Sequence, residues 1–290
     1  MRMEVGNEAM MGLVLQIAHG CFQDRLHWAL GISDRSDASS PPLEIQFADS
    51  TKNGANTPSA MRTDSAAMLE SVASNSDKLE SNAAVPAPLV WEDADVAGMQ
   101  RSLWAQKTRT ARIPVPDWDT VVPKIPSDLY RRPLRIRWSR AVVGYQPILG
   151  PAWIKCLRVF EQEAHQNRVF EESVFWVVTR SLKCYYCMGH CEMLMEVGGL
   201  SQGAIARRTQ ALESGDWSRF SPEERTAFAF AKKLTEFPTL LNGQDRQSIL
   251  DLFGEVRALD LIWWTCRCQF MTKVSDAFQL QLESENVFSE

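Results

Sequence analysis

Three cysteines and one histidine stand close together in the run CYYCMGHC, which spans residues 184–191. Thiols at such spacing can form a structural disulfide, a redox-active pair or part of a metal site. A disulfide between Cys184 and Cys187 closes so small a loop that it would stabilise a fold by only about 2 kcal/mol. Redox chemistry therefore explains this CxxC pair better than stability does.

Helical spacing places the reactive groups of the run together. On a helix of about 3.6 residues per turn, one face holds Cys184, Cys187, His190 and Cys191. The thiolate is the nucleophile, and a helix N-terminus favours an anion by only about 0.3–1 kcal/mol. This lowers a thiol pKa by less than about one unit. A base is therefore needed, and His190 is close enough on the helix to accept the proton of Cys187.

A metal site is the main alternative at this run. Its four side chains match the ligand number of zinc, but consecutive ligands on one short helix cannot easily surround a tetrahedral ion. The distant pair Cys266 and Cys268 would point about 200° apart on a helix. A c-type haem needs His directly after the second Cys, where Met188 stands. We therefore expect no metal and no cofactor.

Composition narrows the partners and the compartment. The net charge of −5 gives no basic field for nucleic acid. No stretch reaches the length of about eighteen apolar residues that a membrane span requires. The seven cysteines are scattered and odd in number, unlike a secreted disulfide framework. We expect a cytoplasmic protein without nucleic-acid or membrane partners.

The amino-terminal part differs from the remainder of the chain. Residues 33–88 are rich in Ser, Asn, Asp, Ala and Pro, so they bury too little apolar surface to offset chain entropy. Residues 10–30 form either one amphipathic helix or a poorly ordered terminus. We therefore expect residues 1–89 to be mostly disordered.

Residues 90–150 combine a predicted helix at 92–108 with a proline-rich stretch at 113–133, which proline density keeps from being a long helix. Five arginines follow at positions 131, 132, 135, 137 and 140. They are expected to form a solvated or inter-subunit face, although such a cluster can also grip a phosphate or an acidic partner.

Residues 151–290 carry helical patterns to the end of the sequence. Ser221 before Pro222 is typical of a helix start, and Gly198 before Gly199 of a helix end. The predicted helices span 152–165, 169–180, 184–197, 202–213, 222–237, 245–253 and 255–283. No alternating strand run exceeds four residues, so we predict an all-α fold with one main domain.

The same residues resemble a known family. Glu172, the run CYYCMGHC, the GGLS that begins at Gly198 and the WSRFSPEERTAF that begins at Trp217 are similar to the alkylhydroperoxidase D and carboxymuconolactone decarboxylase superfamily. The resemblance covers about residues 150–285. In that family a Glu lies about twelve residues before the first Cys, as Glu172 does here.

The resemblance implies an all-helical fold that assembles as trimers or hexamers and a thiol-dependent peroxidase that acts on hydroperoxides without a cofactor. It assigns the peroxide-attacking role to Cys187 and the resolving role to Cys184. Glu172 and a His would form the proton relay. A thiol-bearing carrier protein would reduce the resulting disulfide.

The sequence departs from the family at one position. The relay His usually lies four residues after the second Cys, where this chain has Cys191, and His190 is displaced by about 100° around the helix. Cys191 is therefore a candidate third redox thiol. Two other functions stay open: a cofactor-free lyase or isomerase of the decarboxylase branch, and a non-catalytic oligomeric or zinc-stabilised protein.

Overall fold

The computed structural model describes residues 6–32, 91–127 and 134–289. Every regular element within these ranges is a helix, which confirms the all-α fold. The α-helices are α1 (Asn7–Leu30), α2 (Val96–Lys107), α3 (Trp118–Val121), α4 (Arg137–Tyr145), α5 (Leu149–Glu163), α6 (Arg168–Ser181), α7 (Tyr185–Val197), α8 (Gln202–Ser214), α9 (Pro222–Glu236) and α10 (Gly243–Phe278). None of them is both long and apolar enough to cross a membrane. The expected disorder at 33–88 lies outside the described residues.

Local signals in the sequence explain most helix ends. The Ser221 hydroxyl accepts a hydrogen bond from the Glu224 backbone N–H, and the Ser221 backbone N–H donates one to the Glu224 carboxylate. The two helices predicted at the carboxyl end are joined into α10, with the helical backbone interrupted at Gly254, where φ is +70°. The predicted extension to residue 283 is wrong, because α10 ends at Phe278.

Helix α1 settles the alternatives for residues 10–30 in favour of a helix. Met11, Leu15 and Phe22 recur at helical spacing and are buried. The α1 helix packs mainly against α10, and the Phe22 ring meets the edge of Trp263. Residues 7–30 therefore belong to the same compact unit as the helices after residue 91.

The segment that precedes the predicted core also contains more helix than expected. Helix α4 covers part of the arginine cluster, while Arg131 and Arg132 lie outside the described residues. In the described part of the proline-rich stretch, the regular structure consists of the short helix α3 and one 3₁₀ turn. At the exposed end of the cluster, Arg135 pairs with Glu285 at 3.5 Å.

The core is built around α6, α7, α9 and α10. Helices α6 and α7 form a hairpin through a three-residue connection in which Lys183 has a left-handed φ of 54°. Helix α6 is buried along most of its length, because α7, α9 and α10 all pack against it. This arrangement fixes the start of α7, where the CxxC pair lies.

Candidate functional site

The CxxC pair lies at the amino end of α7. Cys184 is the N-cap residue and Cys187 lies in the first turn. Both are buried free thiols, with Cys187 only 3% exposed. The Cys187 thiol donates a hydrogen bond to Ser275 Oγ of α10 at 3.2 Å. Two helices therefore position this sulfur.

The two thiols of the pair are not equivalent. A hydrogen bond with Cys187 and then burial raise the pKa of the Cys184 thiol well above its usual value. Cys184 therefore keeps its proton. Cys187, by contrast, is the sulfur that contacts Ser275 of α10.

His190 pairs with a carboxylate that the sequence reasoning missed. Its Nε2 lies 2.7 Å from Glu283 Oε2. Burial raises the pKa of Glu283, but the hydrogen bond and charge of His190 outweigh burial, so this pKa lies below its usual value. When Nε2 donates to this carboxylate, Nδ1 is left as the proton acceptor of the ring.

The start of α4 holds Glu283 and Tyr186 in place. The Arg137 backbone N–H donates to Glu283 Oε1 at 2.7 Å, and the Trp138 N–H donates to the Tyr186 hydroxyl at 3.0 Å. Tyr186 in turn donates to Glu283 at 3.3 Å. Free N–H groups at a helix start stabilise a carboxylate. One member of the arginine cluster thus supports the site through its backbone.

The carboxyl-terminal segment brings Glu283 to His190 and is anchored on both sides. The Arg137 guanidinium donates to the backbone carbonyls of Gln281 and Leu282. Gln106 of α2 binds the same segment through Leu280 O at 2.6 Å and Leu282 N at 3.0 Å. Glu283 was not predicted, because it lies 93 residues after His190 and no sequence pattern links the two.

Glu172, the expected relay carboxylate, has other neighbours. It is 0% exposed, and its Oε1 lies 3.4 Å from Arg168 Nη1. Its Oε2 has no hydrogen-bond partner among the described residues. Burial raises the pKa of Glu172 to about 8, although Arg168 and Arg267 oppose the shift. Glu172 is therefore mostly protonated at neutral pH.

Cys191 occupies the helical position at which the family keeps its relay His. Its thiol is completely buried. Burial and then the charge of Glu172 raise its pKa well above the usual value. This raised pKa disfavours the thiolate form of Cys191. Glu172 thus neighbours Cys191, whereas His190 pairs with Glu283.

A mostly apolar cavity of about 350 Å³ borders three of the five predicted site residues. Cys187, His190 and Glu172 line it, whereas Cys184 and Cys191 are absent from its lining. Its walls come from α4, α5, α6, α7 and α10, and the apolar residues include Trp138, Phe175, Leu194 and Met271. Its volume is in the range of small-molecule sites.

The described part of the chain contains no group of three His, Cys, Asp or Glu side chains placed to hold a metal ion. No family model matches the chain, and no curated protein or solved structure does so either. The likeness in CYYCMGHC and its flanking segments is therefore carried by those residues alone.

Proposed function

We propose that this protein is a thiol-dependent peroxidase that reduces hydroperoxides with the Cys184–Cys187 dithiol. One observation carries the proposal: Cys187 and His190 line the same apolar cavity, and a second thiol, Cys184, stands three residues before Cys187 at the start of the same helix. A nucleophile, a base and an orienting carboxylate are the parts that activated thiols require.

The first half of the reaction oxidises Cys187. His190 accepts the Cys187 proton, and Glu283 stabilises the imidazolium that forms. The thiolate then attacks one peroxide oxygen, and the O–O bond breaks. The imidazolium protonates the departing alkoxide. The products are an alcohol and the Cys187 sulfenic acid.

The second half closes the disulfide. The Cys184 sulfur attacks the sulfenic sulfur, the S–O bond breaks and water leaves with the Cys184 proton. The two cysteines stand three residues apart at the start of α7, and this spacing brings the attacking sulfur near its target. One hydroperoxide is thereby reduced to an alcohol while two thiols become one disulfide.

The proposal includes a partner, an assembly and a compartment. A thiol-bearing carrier protein would return the disulfide to the dithiol in the reducing cytoplasm. We also propose a trimer or hexamer. After Gly254 on α10, Val256 and Leu259 are exposed apolar residues three positions apart, and exposed apolar residues of this kind suit a subunit contact.

Stopped-flow fluorescence of the reduced protein tests the proposal, because Trp138 lines the cavity. Hydrogen peroxide and cumene hydroperoxide are expected to give a fast phase that Cys187→Ser abolishes. Cys156→Ser is the matched control, since Cys156 is exposed and outside the cavity lining. A Cys187→Ser protein that reacts as fast as the wild type overturns the proposal.

A further inference from the structure

The cavity has two chemically different ends. Arg267, Met271 and Ser275 stand four residues apart on α10, and all three line the cavity. Ser275 contacts Cys187, while Arg267 lies two helical turns away, about 12 Å along the axis. The cavity therefore has the Cys187 thiol near Ser275 and the Arg267 guanidinium two turns away, and Arg158 and Arg168 also line it.

Arg267 is a buried cation without a matched anion. It is 8% exposed, and its guanidinium carbon lies 4.2 Å from the ring centroid of Trp264. Within the described part of the chain it forms no ion pair, and its Nε has no hydrogen-bond partner. An unpaired buried cation is costly, so this position favours an anionic ligand group.

The neighbouring carboxylates form ion pairs with another arginine, Arg168. Glu161, Glu171 and Glu172 all lie within 3.4–3.8 Å of Arg168 Nη1. Burial also raises the pKa of Glu171 to about 7 and that of Glu172 to about 8. Both therefore offer Arg267 less negative charge at neutral pH than ordinary glutamates would.

Apolar side chains separate the two ends. Leu157, Phe175, Leu194 and Met271 all contribute to the lining of the cavity. A ligand that fills this space therefore has an apolar body, with its anionic group at Arg267 and its reacting group at Cys187. The planar fork of a guanidinium matches the two oxygens of a carboxylate.

We infer that the preferred substrate is an organic hydroperoxide with an apolar body and a carboxylate, which binds Arg267 while its peroxide group meets Cys187. The inference rests on the proposed peroxidase function. The reaction itself is unchanged: the O–O bond breaks, Cys187 becomes a sulfenic acid, and the product is the corresponding hydroxy acid. Arg267 binds the spectator carboxylate and takes no part in proton transfer.

Three probes with one reacting group test the inference: cumene hydroperoxide, its para-carboxylate derivative and the methyl ester of that derivative. The measured quantity is the second-order rate constant for Cys187 oxidation. In the wild type, the carboxylate is expected to react about tenfold or more faster than the ester. Arg267→Met is expected to bring the ratio of the acid rate to the ester rate close to one, because the carboxylate loses its cation.

Arg267→Lys retains the charge and is expected to keep part of the carboxylate preference. Arg257→Met is the matched control, because Arg257 lies on the same helix but outside the cavity lining. Equal wild-type rates for acid and ester overturn the inference, as does an Arg267→Met variant that slows both equally. If no hydroperoxide oxidises wild-type Cys187, the proposed function fails, and the inference fails with it.

Discussion

His190 is the residue through which the Cys187 proton leaves in the proposed reaction. Glu283 stays ionised at neutral pH, because its hydrogen bonds hold its pKa below the usual value despite burial. An adjacent carboxylate orients the imidazole and stabilises its charged form. Glu283 is therefore a positioning residue, and its charge is the property to test.

The Glu283→Gln variant keeps the size of the side chain and removes its charge. We expect the rate constant for Cys187 oxidation to fall roughly tenfold or more near pH 7, because the imidazolium is less stable. The loss should shrink as the pH rises, because hydroxide can then take the thiol proton without His190. Stopped-flow rates across this pH range provide the measurement.

Glu285→Gln is the control for this variant, since Glu285 lies in the same carboxyl-terminal segment and its side chain is exposed. It should leave the rate unchanged at every pH. A Glu283→Gln loss that is constant across pH would contradict the relay and indicate a purely structural role.

Some site residues were predictable because their spacing is local. Cys184, Cys187 and His190 share one helix face, so helical geometry alone predicts their proximity. Glu283 and Ser275 reach the site through tertiary packing, from the carboxyl-terminal segment and α10. No periodic pattern links them to the cysteine run, so sequence reasoning did not place them there.

At the scale of elements, α1 covers the apolar face of α10. Leu15 is 2% exposed in this contact, whereas Leu13, on the same helix, is 53% exposed. The two leucines have the same chemistry and opposite environments. Replacing each leucine in turn therefore shows how much the packing of α1 contributes to the stability of the fold.

Leu15→Ala is expected to lower the free energy of unfolding by about 2–5 kcal/mol, through lost burial and the cavity that remains. Leu13→Ala should change it by less than about 0.5 kcal/mol. Urea denaturation followed by circular dichroism measures both. Equal effects of the two substitutions would contradict the packing of α1 on α10.

Some helix boundaries are set by local sequence signals, and others are set by tertiary contacts. Helix α9 begins at a serine–proline cap, which is a local signal that the sequence alone reveals. Helix α10 ends at Phe278 because Gln279 adopts a left-handed φ of 49° and the following segment binds Gln106. Helix α4 was not predicted, because its segment was interpreted as an arginine-rich face. Its hydrogen bonds to Glu283 and Tyr186 are tertiary contacts, which no local pattern indicates.

At the scale of the whole molecule, buried glutamates make stability depend on pH. Burial raises the pKa of Glu172 from 4.5 to about 8 in the folded protein. Between these values the folded state binds more protons than the unfolded chain. The free energy of unfolding therefore falls as pH rises across this interval.

Glu172→Gln removes this ionisable group and should flatten the dependence. We expect the variant to exceed the wild type in free energy of unfolding by about 2 kcal/mol or more near pH 8, with little difference near pH 5. Urea denaturation at the two pH values, with a reductant present, makes the comparison. The same difference at both values would contradict a raised pKa.

The all-α class followed from helical periodicity throughout the carboxyl-terminal half, and the structure confirms it. The cavity was not predictable, since five helices contribute to its walls. Sequence reasoning thus named Cys184, Cys187 and His190 as candidates, while the shape and polarity of the pocket depend on packing between distant segments.

Mass spectrometry of the tryptic peptide 184–207, which contains all three cysteines of the run, tests the central claim most directly. The reduced protein is treated with one equivalent of cumene hydroperoxide, and its remaining thiols are alkylated under denaturing conditions. A disulfide between Cys184 and Cys187, with Cys191 alkylated, is the predicted result. Alkylation of all three thiols while peroxide persists, or a disulfide that includes Cys191, would contradict it.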